Sequence, residues 1–449
     1  MTQTRFATIV LAAGEGTRMR SAKPKVLHEV AGRAMIAHVL DALRPLQPAA
    51  TVVVLGRGMD TVATAVAPAR VAIQDPPRGT GDAVRAAQAA LASSLAAIDS
   101  LLVLYGDTPL LRPETLSRLL AARQAGAAVA LAGMRPADPG PYGRLVGDGT
   151  GGVSRIVEAK DASPDELAIG LCNGGIMAID ARRAFDLVAR IGCDNAKGEY
   201  YLTDIVGLAT ADGLSCRVVE LPEEELLGVN TRAELAAAEA VMQGRLRRRA
   251  MDGGTTLIAP ETVFLSADTR FGCDVVVEPN VVFGPGVSVA DNARIRSFSH
   301  LDGAVVGPGA IVGPYARLRP GAVLDDDVHV GNFVEVKAAH LHAGVKASHL
   351  SYLGDSEIGA GTNIGAGTIT CNYDGFSKFR TTIGAGVFIG SNTALVAPVA
   401  VGDGAIVAAG STVTRDVPAD ALTLARGVQV DKPGRARELR ARLKAQKKG

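Results

Sequence analysis

Two groups of residues in this chain have types and spacings that fit chemistry. In the first, Leu11-Ala12-Ala13-Gly14-Glu15-Gly16-Thr17-Arg18-Met19 follows an apolar run, and Pro24-Lys25 comes shortly after. A bare G-x-G says little. A dinucleotide fingerprint would need a third glycine where Met19 stands, and a Walker A loop would need G-K-[ST]. What remains is a tight glycine loop offering amides to phosphate oxygens, with Arg18 and Lys25 as cations beside it. That equipment suits a nucleoside triphosphate attacked at its α-phosphate. Gln74, Gly79-Thr80-Gly81 and Leu104-Tyr105-Gly106-Asp107 follow in order. Asp107 sits just past an apolar run, where a carboxylate either holds Mg²⁺ against phosphates or caps a turn.

The second group holds five of the seven histidines: His300, His329, His340, His342 and His349. His340-x-His342 on one face of a strand is one way to bind a metal. Divergent repeat phases and scarce carboxylate partners favour solvent-facing histidines instead. His349 differs, because it lies in a break of the repeat pattern near Glu335, Lys337 and Tyr352. An imidazole, with an ordinary pKa of ~6.5, is suited to moving a proton at neutral pH.

The elements that must position these residues obey two grammars. Up to about residue 228, apolar runs at Ala7–Ala13, Thr51–Leu55, Leu101–Tyr105, Ala127–Ala132 and Gly175–Ile179 predict strands. Helical patterns at Met35–Leu43, Asp82–Leu95, Pro113–Ala125 and Glu199–Ala209 lie between them. This alternation predicts a mostly parallel sheet with helices on both faces, binding ligands beyond the carboxyl ends of its strands. Residues Thr231–Ala250 then predict a long Ala- and Arg-rich helix, capped by Thr231 and stopped by Gly253-Gly254. The domain boundaries expected are 1–230, a linker helix over 231–252, and 253–449.

After the helix, aliphatic or aromatic residues recur every six positions. The phases run Phe271, Val277, Phe283, Val289, Ile295; then Val306, Val312, Leu318, Leu324, Val330, Val336; then Ile383, Ile389, Leu395, Val401, Val407, Val413, after Ile358 and Ile364. A six-residue period fits neither a helix nor ordinary strand alternation; it marks a parallel β-helix. With three hexads per coil, Phe271 to Pro418 makes roughly eight coils, ~40 Å at the ~4.8 Å strand spacing. Breaks at Arg296–Val305, His340–Tyr352 and Thr370–Thr382 predict loops on one face.

Composition bounds the class. The chain has 449 residues, Lys+Arg 47 against Asp+Glu 46, and a net charge of +1. That balance argues against nucleic-acid binding through a generally basic surface. No apolar run approaches the ~20 residues of a membrane span, and Met1 to Val10 lacks the regions of a signal peptide. A cytoplasmic protein is expected. Cys172, Cys193, Cys216, Cys273 and Cys371 form no C-x-x-C pair and are each expected to be small buried hydrophobes. The basic stretch Arg435–Gly449 is either a solvated tail or an aid in gripping an anion.

LAAGEGTRM with Pro24-Lys25, Gly79-Thr80-Gly81, Tyr105-Gly106-Asp107, Tyr142-Gly143-Arg144, Val157-Glu158-Ala159-Lys160-Asp161, Glu199-Tyr200-Tyr201-Leu202-Thr203-Asp204 and Gly228-Val229-Asn230 together resemble the sugar-1-phosphate nucleotidylyltransferases. His349-Leu350-Ser351-Tyr352-Leu353-Gly354-Asp355 and Gly365 to Gly375 narrow the resemblance. They are similar to the bacterial bifunctional N-acetylglucosamine-1-phosphate uridylyltransferase/glucosamine-1-phosphate acetyltransferase family, over nearly the whole chain. Asp82 stands where that family usually has His, and Gly174 where it usually has Thr.

The resemblance implies a Rossmann-like α/β nucleotidyltransferase domain followed by a left-handed parallel β-helix of hexapeptide repeats. It implies that Leu11, Ala12, Ala13, Gly14, Gln74, Gly79 and Thr80 hold the uridine nucleotide, with Tyr105 and Gly106 in the same substrate site. Gly143, Glu158, Asn173 and Asn230 then meet the sugar side, and Asp107 with Asn230 ligates Mg²⁺. Arg18 and Lys25 neutralise phosphate charge. For acetyl transfer it implies His349 as base, with Glu335 orienting its imidazole. Arg319, Lys337, Tyr352 and Asn363 meet the sugar phosphate, joined by Asn372 and Tyr373. Acetyl-CoA runs past Ala366, Ser391 and Ala409 towards Arg426, with a backbone amide near Ser391 as oxyanion donor. A homotrimer is implied as well.

Two other readings stay open on the sequence. One is a nucleotidylyltransferase whose solenoid only assembles or regulates; the Glu335, Lys337, His349, Tyr352 set argues against it. The other is a non-catalytic scaffold, which would have no use for Arg18, Lys25, Asp107 and Asn230 together.

Overall fold

The computed structural model describes residues 5–195 and 198–447. Residues 1–4, where the stretch examined for a leader begins, and the last two of the basic tail lie outside the described residues. The chain divides into two compact units, Met1–Leu246 and Arg247–Gly449.

In the first unit Phe6–Leu11, Ala50–Gly56, Arg70–Gln74 and Ser100–Tyr105 are joined in parallel, as are Val129–Met134 and Cys216–Glu220. Cys172–Asp180 runs antiparallel between the two sets and joins them. Alternate residues of one strand enter opposite cores: Ile9 and Leu11 one, Phe6 and Val10 the other. Such strands are apolar on both faces, so they read as continuous runs in the sequence. Arg70–Gln74 and Cys216–Glu220 were not anticipated. They are the sheet's edge strands and expose part of their length, which dilutes the apolar signal.

Two expected helices differ. The pattern over Asp82–Leu95 is two helices, Thr80–Ala86 and Gln88–Leu95. The pattern over Glu199–Ala209 becomes helical only at Asp204–Ala211. Before it the chain is tied to the Gly79 loop: Tyr200 N donates to Arg78 O and Gly81 N donates to Tyr200 O, both at 2.8 Å. Those bonds hold residues 199–203 out of a helix. The long helix Arg232–Asp252 starts with a reciprocal cap. Glu234 N donates to Thr231 Oγ1 at 3.2 Å, and Thr231 N donates to the Glu234 carboxylate at 2.8 Å. Its Ala238 is buried with Val30, Met35, Leu110 and Val229.

The second unit is a left-handed parallel β-helix. One of its faces stacks ten strands, from Thr256–Leu257 to Leu422–Thr423, so the solenoid extends beyond the hexads legible between Phe271 and Pro418. The inward positions named from the six-residue period are buried from Val277 to Val413. Phe271, in the first coils, is half-buried and meets Phe283 edge-on at 5.2 Å. Each fully buried aliphatic contributes ~1.5–3 kcal/mol, so phase, not any single residue, holds the prism together.

Two of the three expected loops are absent. Val276 faces Arg294, eighteen residues on, but Arg294 faces Ile311, seventeen on. His329, Lys346 and Asn363 are likewise spaced by seventeen. The break at Arg296–Val305 therefore removes one residue, that around His340–Tyr352 removes one from each of two successive coils, and the corners absorb them. Only the third break makes a loop: Asn363 faces Phe388, twenty-five residues on. Its tip is a hairpin closed at Tyr373 and Lys378, with Phe376 fully in solvent.

Cys172 and Cys216 are buried as expected, but Cys193 and Cys273 are exposed because each lies in an irregular connection. Among the described residues the tail forms an exposed helix, Arg435–Gln446, and no helix is long and apolar enough to cross a membrane.

Candidate functional sites on the two units

The first site lies at the carboxyl ends of Phe6–Leu11, Arg70–Gln74 and Ser100–Tyr105. A cavity of about 490 Å³ is lined by Leu11, Ala12, Ala13, Gly14, Lys25, Gln74, Gly79, Thr80, Tyr105 and Asp107. Gly16 has φ 66°, and a β-carbon there would sit 2.5 Å from Lys25 Cβ. The loop can fold onto Lys25 only because residue 16 has no side chain. Gly79 is equally constrained: φ is 112°, and a β-carbon would lie 2.7 Å from Tyr200 O.

Lys25 Nζ is bonded to the Asp107 carboxylate and donates to Asn230 Oδ1 at 3.0 Å. Three residues far apart in sequence thus meet at one point. Asp107 and Asn230 present two hard oxygen donors, with an ammonium bridging them. Oxygen donors already sharing a cation form a fitting partial shell for Mg²⁺, which uses one or two protein ligands and fills the rest with phosphate and water. Arg18, on the turn Thr17–Met19, lines a second cavity of about 770 Å³ with Asp107, Glu158, Asn173 and Asn230. Tyr105 borders both cavities. Burial first, then the charges of Asp107 and Glu158, push its phenol above the ordinary range, so it stays protonated.

Gln74 is buried, and its Nε2 donates to Gly79 O and Asp82 Oδ2, each at 2.9 Å. Both amide protons have partners, which leaves Oε1 as the acceptor for a ligand N–H. Asn173 N donates to Gly143 O at 2.8 Å, and Thr203 Oγ1 donates to Glu158 at 3.3 Å. Gly106, between the cavity-lining Tyr105 and Asp107, is buried, and a β-carbon there would be 3.2 Å from Ala12 and 3.3 Å from Val26. Its backbone N–H is used internally, donating to Leu11 O at 2.9 Å.

On the second unit His349 is exposed, and Nδ1 donates to Asn332 Oδ1 at 2.7 Å. Parallel register sets Asn332 beside His349. Following the same register, Ala366, Ser391 and Ala409 continue that line on the next three coils. Ser391 O accepts from Gly410 N at 2.8 Å, and Arg426 Nη1 donates to Ala409 O at 2.6 Å. From imidazole to Ala409 the line covers three rungs, ~14 Å.

The next face, past the corner at Leu350, carries a different set. Arg319 Nη1 donates to Glu335 at 2.8 Å, with Arg317 3.6 Å from the same carboxylate. Lys337 lies 3.6 Å from Asp355, and Asn372 Nδ2 bonds Asp355 and lies 3.4 Å from the Tyr352 hydroxyl. Asn363 lies on the His349 face, paired with Lys346, and Tyr373 is exposed on the loop. Within one chain the expected contact of Glu335 with His349 does not form. Arg319 takes the carboxylate, and Asn332 takes the imidazole.

Sequence reasoning missed Asn332, Asp355 and Lys378. The approach of Lys337, by hydrogen bond and by charge, pushes Lys378 below the ordinary lysine range, so two ammonium groups crowd one spot near Arg319. The expectation that His340 and His342 lack carboxylate partners is also overturned: Asp325 and Glu357 both bond to them.

Comparison with known proteins agrees with this division. A model described as a MobA-like NTP transferase domain matches residues 8–147, and one for bacterial transferase hexapeptides (six repeats) matches residues 380–415. The chain is 54% identical over 449 residues to the bifunctional protein GlmU of Paramagnetospirillum magneticum, covering 100% of this chain and 99% of that protein. It is 57% identical over 445 residues to GlmU of Azorhizobium caulinodans, 98% of both chains, and 57% over 443 residues to that of Rhodospirillum rubrum, again 98% of both. Such identity, end to end and across both sites, makes the chain a member of the GlmU family of bifunctional transferases.

Proposed function

We infer that this enzyme acetylates glucosamine 1-phosphate with acetyl-CoA, then transfers UMP from UTP to the product. The outcome is UDP-N-acetylglucosamine and pyrophosphate, a precursor supply for cell-wall and lipopolysaccharide synthesis. One observation carries this reading: two constellations, Lys25–Asp107–Asn230 and His349–Asn332 with its line of small residues, stand on a single chain.

In the acetyl step the amine must be neutral to attack the thioester carbon. Asn332 holds the Nδ1 proton of His349, so Nε2 carries the lone pair that accepts the amine proton. The C–N bond forms, the C–S bond breaks, and the CoA thiolate leaves to be protonated. Acetyl-CoA runs along Ala366, Ser391 and Ala409, where small side chains leave room, towards Arg426 at the anionic end. Arg319, Lys337 and Lys378 take the sugar phosphate, with Tyr352, Asn363, Asn372 and Tyr373 around it.

In the uridylyl step the sugar phosphate oxygen attacks the α-phosphorus of UTP in line, and pyrophosphate leaves. Two anions must meet, so positioning and charge neutralisation dominate. Gln74 Oε1 accepts from the uracil N–H, Leu11 to Gly14 line the nucleotide, and Gly143, Glu158 and Asn173 hold the sugar. Asp107 and Asn230 would hold Mg²⁺, which screens the triphosphate when bound. Lys25 then gives up the two oxygens it now bridges and, with Arg18, turns to phosphate.

The assembly proposed is a homotrimer working in the cytoplasm, where UTP and acetyl-CoA are available. The imidazole line and the phosphate-binding set occupy different faces of one prism, and among the described residues no hydrogen bond or ion pair joins His349 to Glu335, Lys337 or Tyr352. That separation supports a site completed between subunits.

One incubation tests the reading. Enzyme with glucosamine 1-phosphate, acetyl-CoA, UTP and Mg²⁺ should yield UDP-N-acetylglucosamine, and omission of any one reagent should abolish it. Product formed without acetyl-CoA would overturn the acetyl assignment.

A further inference from the structure

Asp325, His340 and His342 cluster on the β-helix, and their ligating atoms lie within 4.8 Å of one another. Register explains the meeting. Leu324 faces Leu341, which puts Asp325 beside His342; His340 faces Glu357 on the coil after. Three consecutive coils thus contribute to one patch, half-buried throughout.

The geometry is directional. Asp325 Oδ1 is 2.7 Å from His340 Nε2, and Asp325 Oδ2 is 2.9 Å from His342 Nδ1. One nitrogen of each imidazole therefore converges on the same carboxylate. The opposite nitrogens both face Glu357 Oε1, His342 Nε2 at 2.5 Å and His340 Nδ1 at 3.5 Å. Arg380, at the base of the loop bearing Asn372 and Tyr373, pairs with the other Glu357 oxygen. A carboxylate with two imidazoles is a ligand set; a carboxylate on the far side of a ligating histidine is the arrangement that orients such rings.

We propose that Asp325, His340 and His342 bind one divalent cation of the zinc class, with Glu357 as the outer carboxylate that orients the histidines. The ion replaces the proton bridges between Asp325 and the two rings. Bonds of ~2.0–2.2 Å in tetrahedral geometry place ligand atoms ~3.3 Å apart, and the three donors, on half-exposed side chains, already lie within 4.8 Å of one another. Water fills the fourth position. The donor set is unlike that of Asp107 and Asn230: imidazole nitrogen suits zinc, cobalt or nickel, whereas oxygen alone suits magnesium. Bound there, the ion ties two successive coils together at the level where the long loop returns to the prism.

The test uses the full-length chain, stripped with a chelator and kept in excess Mg²⁺ so that the oxygen site is filled. Calorimetric titration with Zn²⁺ should show one ion per chain, and Co²⁺ should give the visible absorption of a tetrahedral centre. The pair His340→Gln and His342→Gln should abolish both signals, and Glu357→Gln should weaken zinc about 10- to 100-fold. Uptake by the exposed Cys193 and Cys273 would survive the histidine substitutions, and equal binding by wild type and variant would overturn the proposal. A second measurement needs no variant: carbethoxylation of wild-type histidines, mapped by mass spectrometry with and without Zn²⁺. Protection of His340 and His342, but not of the exposed His300, is expected. Equal modification in both conditions would likewise overturn the site.

Discussion

His349 Nδ1 lies 2.7 Å from Asn332 Oδ1, on the strand one coil earlier in register. This contact fixes which nitrogen of the base keeps its proton. Asn332→Ala should lower kcat for acetyl transfer by ~10- to 100-fold with little change in KM, while His349→Ala abolishes the step. Asn332→Asp separates positioning from simple support. A carboxylate at 332 stabilises the imidazolium, so the acidic limb of the kcat/KM profile should move to higher pH. Steady-state acetylation across pH 5–9 reads this, and an unmoved limb in Asn332→Asp refutes the role.

Lys25 bridges Asp107 and Asn230 across a long sequence separation. Lys25→Ala should lose at least ~10²-fold in kcat/KM for uridylyl transfer and leave acetyl transfer intact. Asp107→Asn should raise the Mg²⁺ concentration needed for half-maximal uridylyl rate. Assaying the two half-reactions separately, against Mg²⁺, gives both answers. An unchanged uridylyl rate in Lys25→Ala removes Lys25 from the site.

The glycine loop and the inward hexads were legible because each rests on local rules. Gly16 must be glycine to fold onto Lys25, and a β-helix core repeats with its coil. Asn332 was hidden for a different reason. It precedes His349 by one seventeen-residue coil, a distance visible only once the one-residue corner deletions are known. The same applies to Asp325 and Glu357, which reach His340 and His342 from neighbouring coils. Glu335 and His349 lie apart within one chain because closeness in sequence says nothing about which side of a prism corner a residue occupies.

Gly174 and Leu226 fill one space. A β-carbon at 174 would lie 2.5 Å from Leu226 Cδ1 and 3.1 Å from Ala132 Cβ. A threonine at 174 therefore forces the Leu226 side chain to move. Gly174→Thr should destabilise the first unit by ~1–3 kcal/mol and raise KM for N-acetylglucosamine 1-phosphate. With Leu226→Ala the threonine gains room, so the double variant should lose less than the sum of the singles. Thermal melts of the four proteins decide it, and strict additivity refutes the shared space.

His38 makes the first unit sensitive to acid. Burial holds its imidazole below the ordinary pKa, against the opposing pull of the Val30 carbonyl 2.8 Å from Nε2. The unfolded chain, with a pKa of ~6.5, then binds more protons than the folded one. The contribution is full above ~6.5 and is lost as pH falls through the lowered folded value. His28 is shifted the same way, by burial, then by Arg232 and Lys23. Melting temperature should fall between pH 7 and 5, and His38→Gln, which retains a donor for Val30, should flatten that slope. An identical slope in the variant refutes the assignment.

Phe298, Tyr315 and Phe333 stack along one corner of the prism, with centroids 4.9 and 5.3 Å apart, and Leu350 continues the line. All four have positive φ and are 48–61% exposed. Solvent gives no reason to pile aromatic rings at a corner that glycine or asparagine would turn more easily, as Asn280 and Asn392 do on the same unit. Covering by another copy of the chain supplies one, and the corner adjoins His349. Tyr315→Glu with Phe333→Glu should therefore shift the proposed trimer to monomer in light scattering at micromolar concentration. Acetyl transfer should fall with assembly, while uridylyl transfer, whose residues all lie on the other unit, should persist. A trimer that survives both charges places the subunit boundary elsewhere.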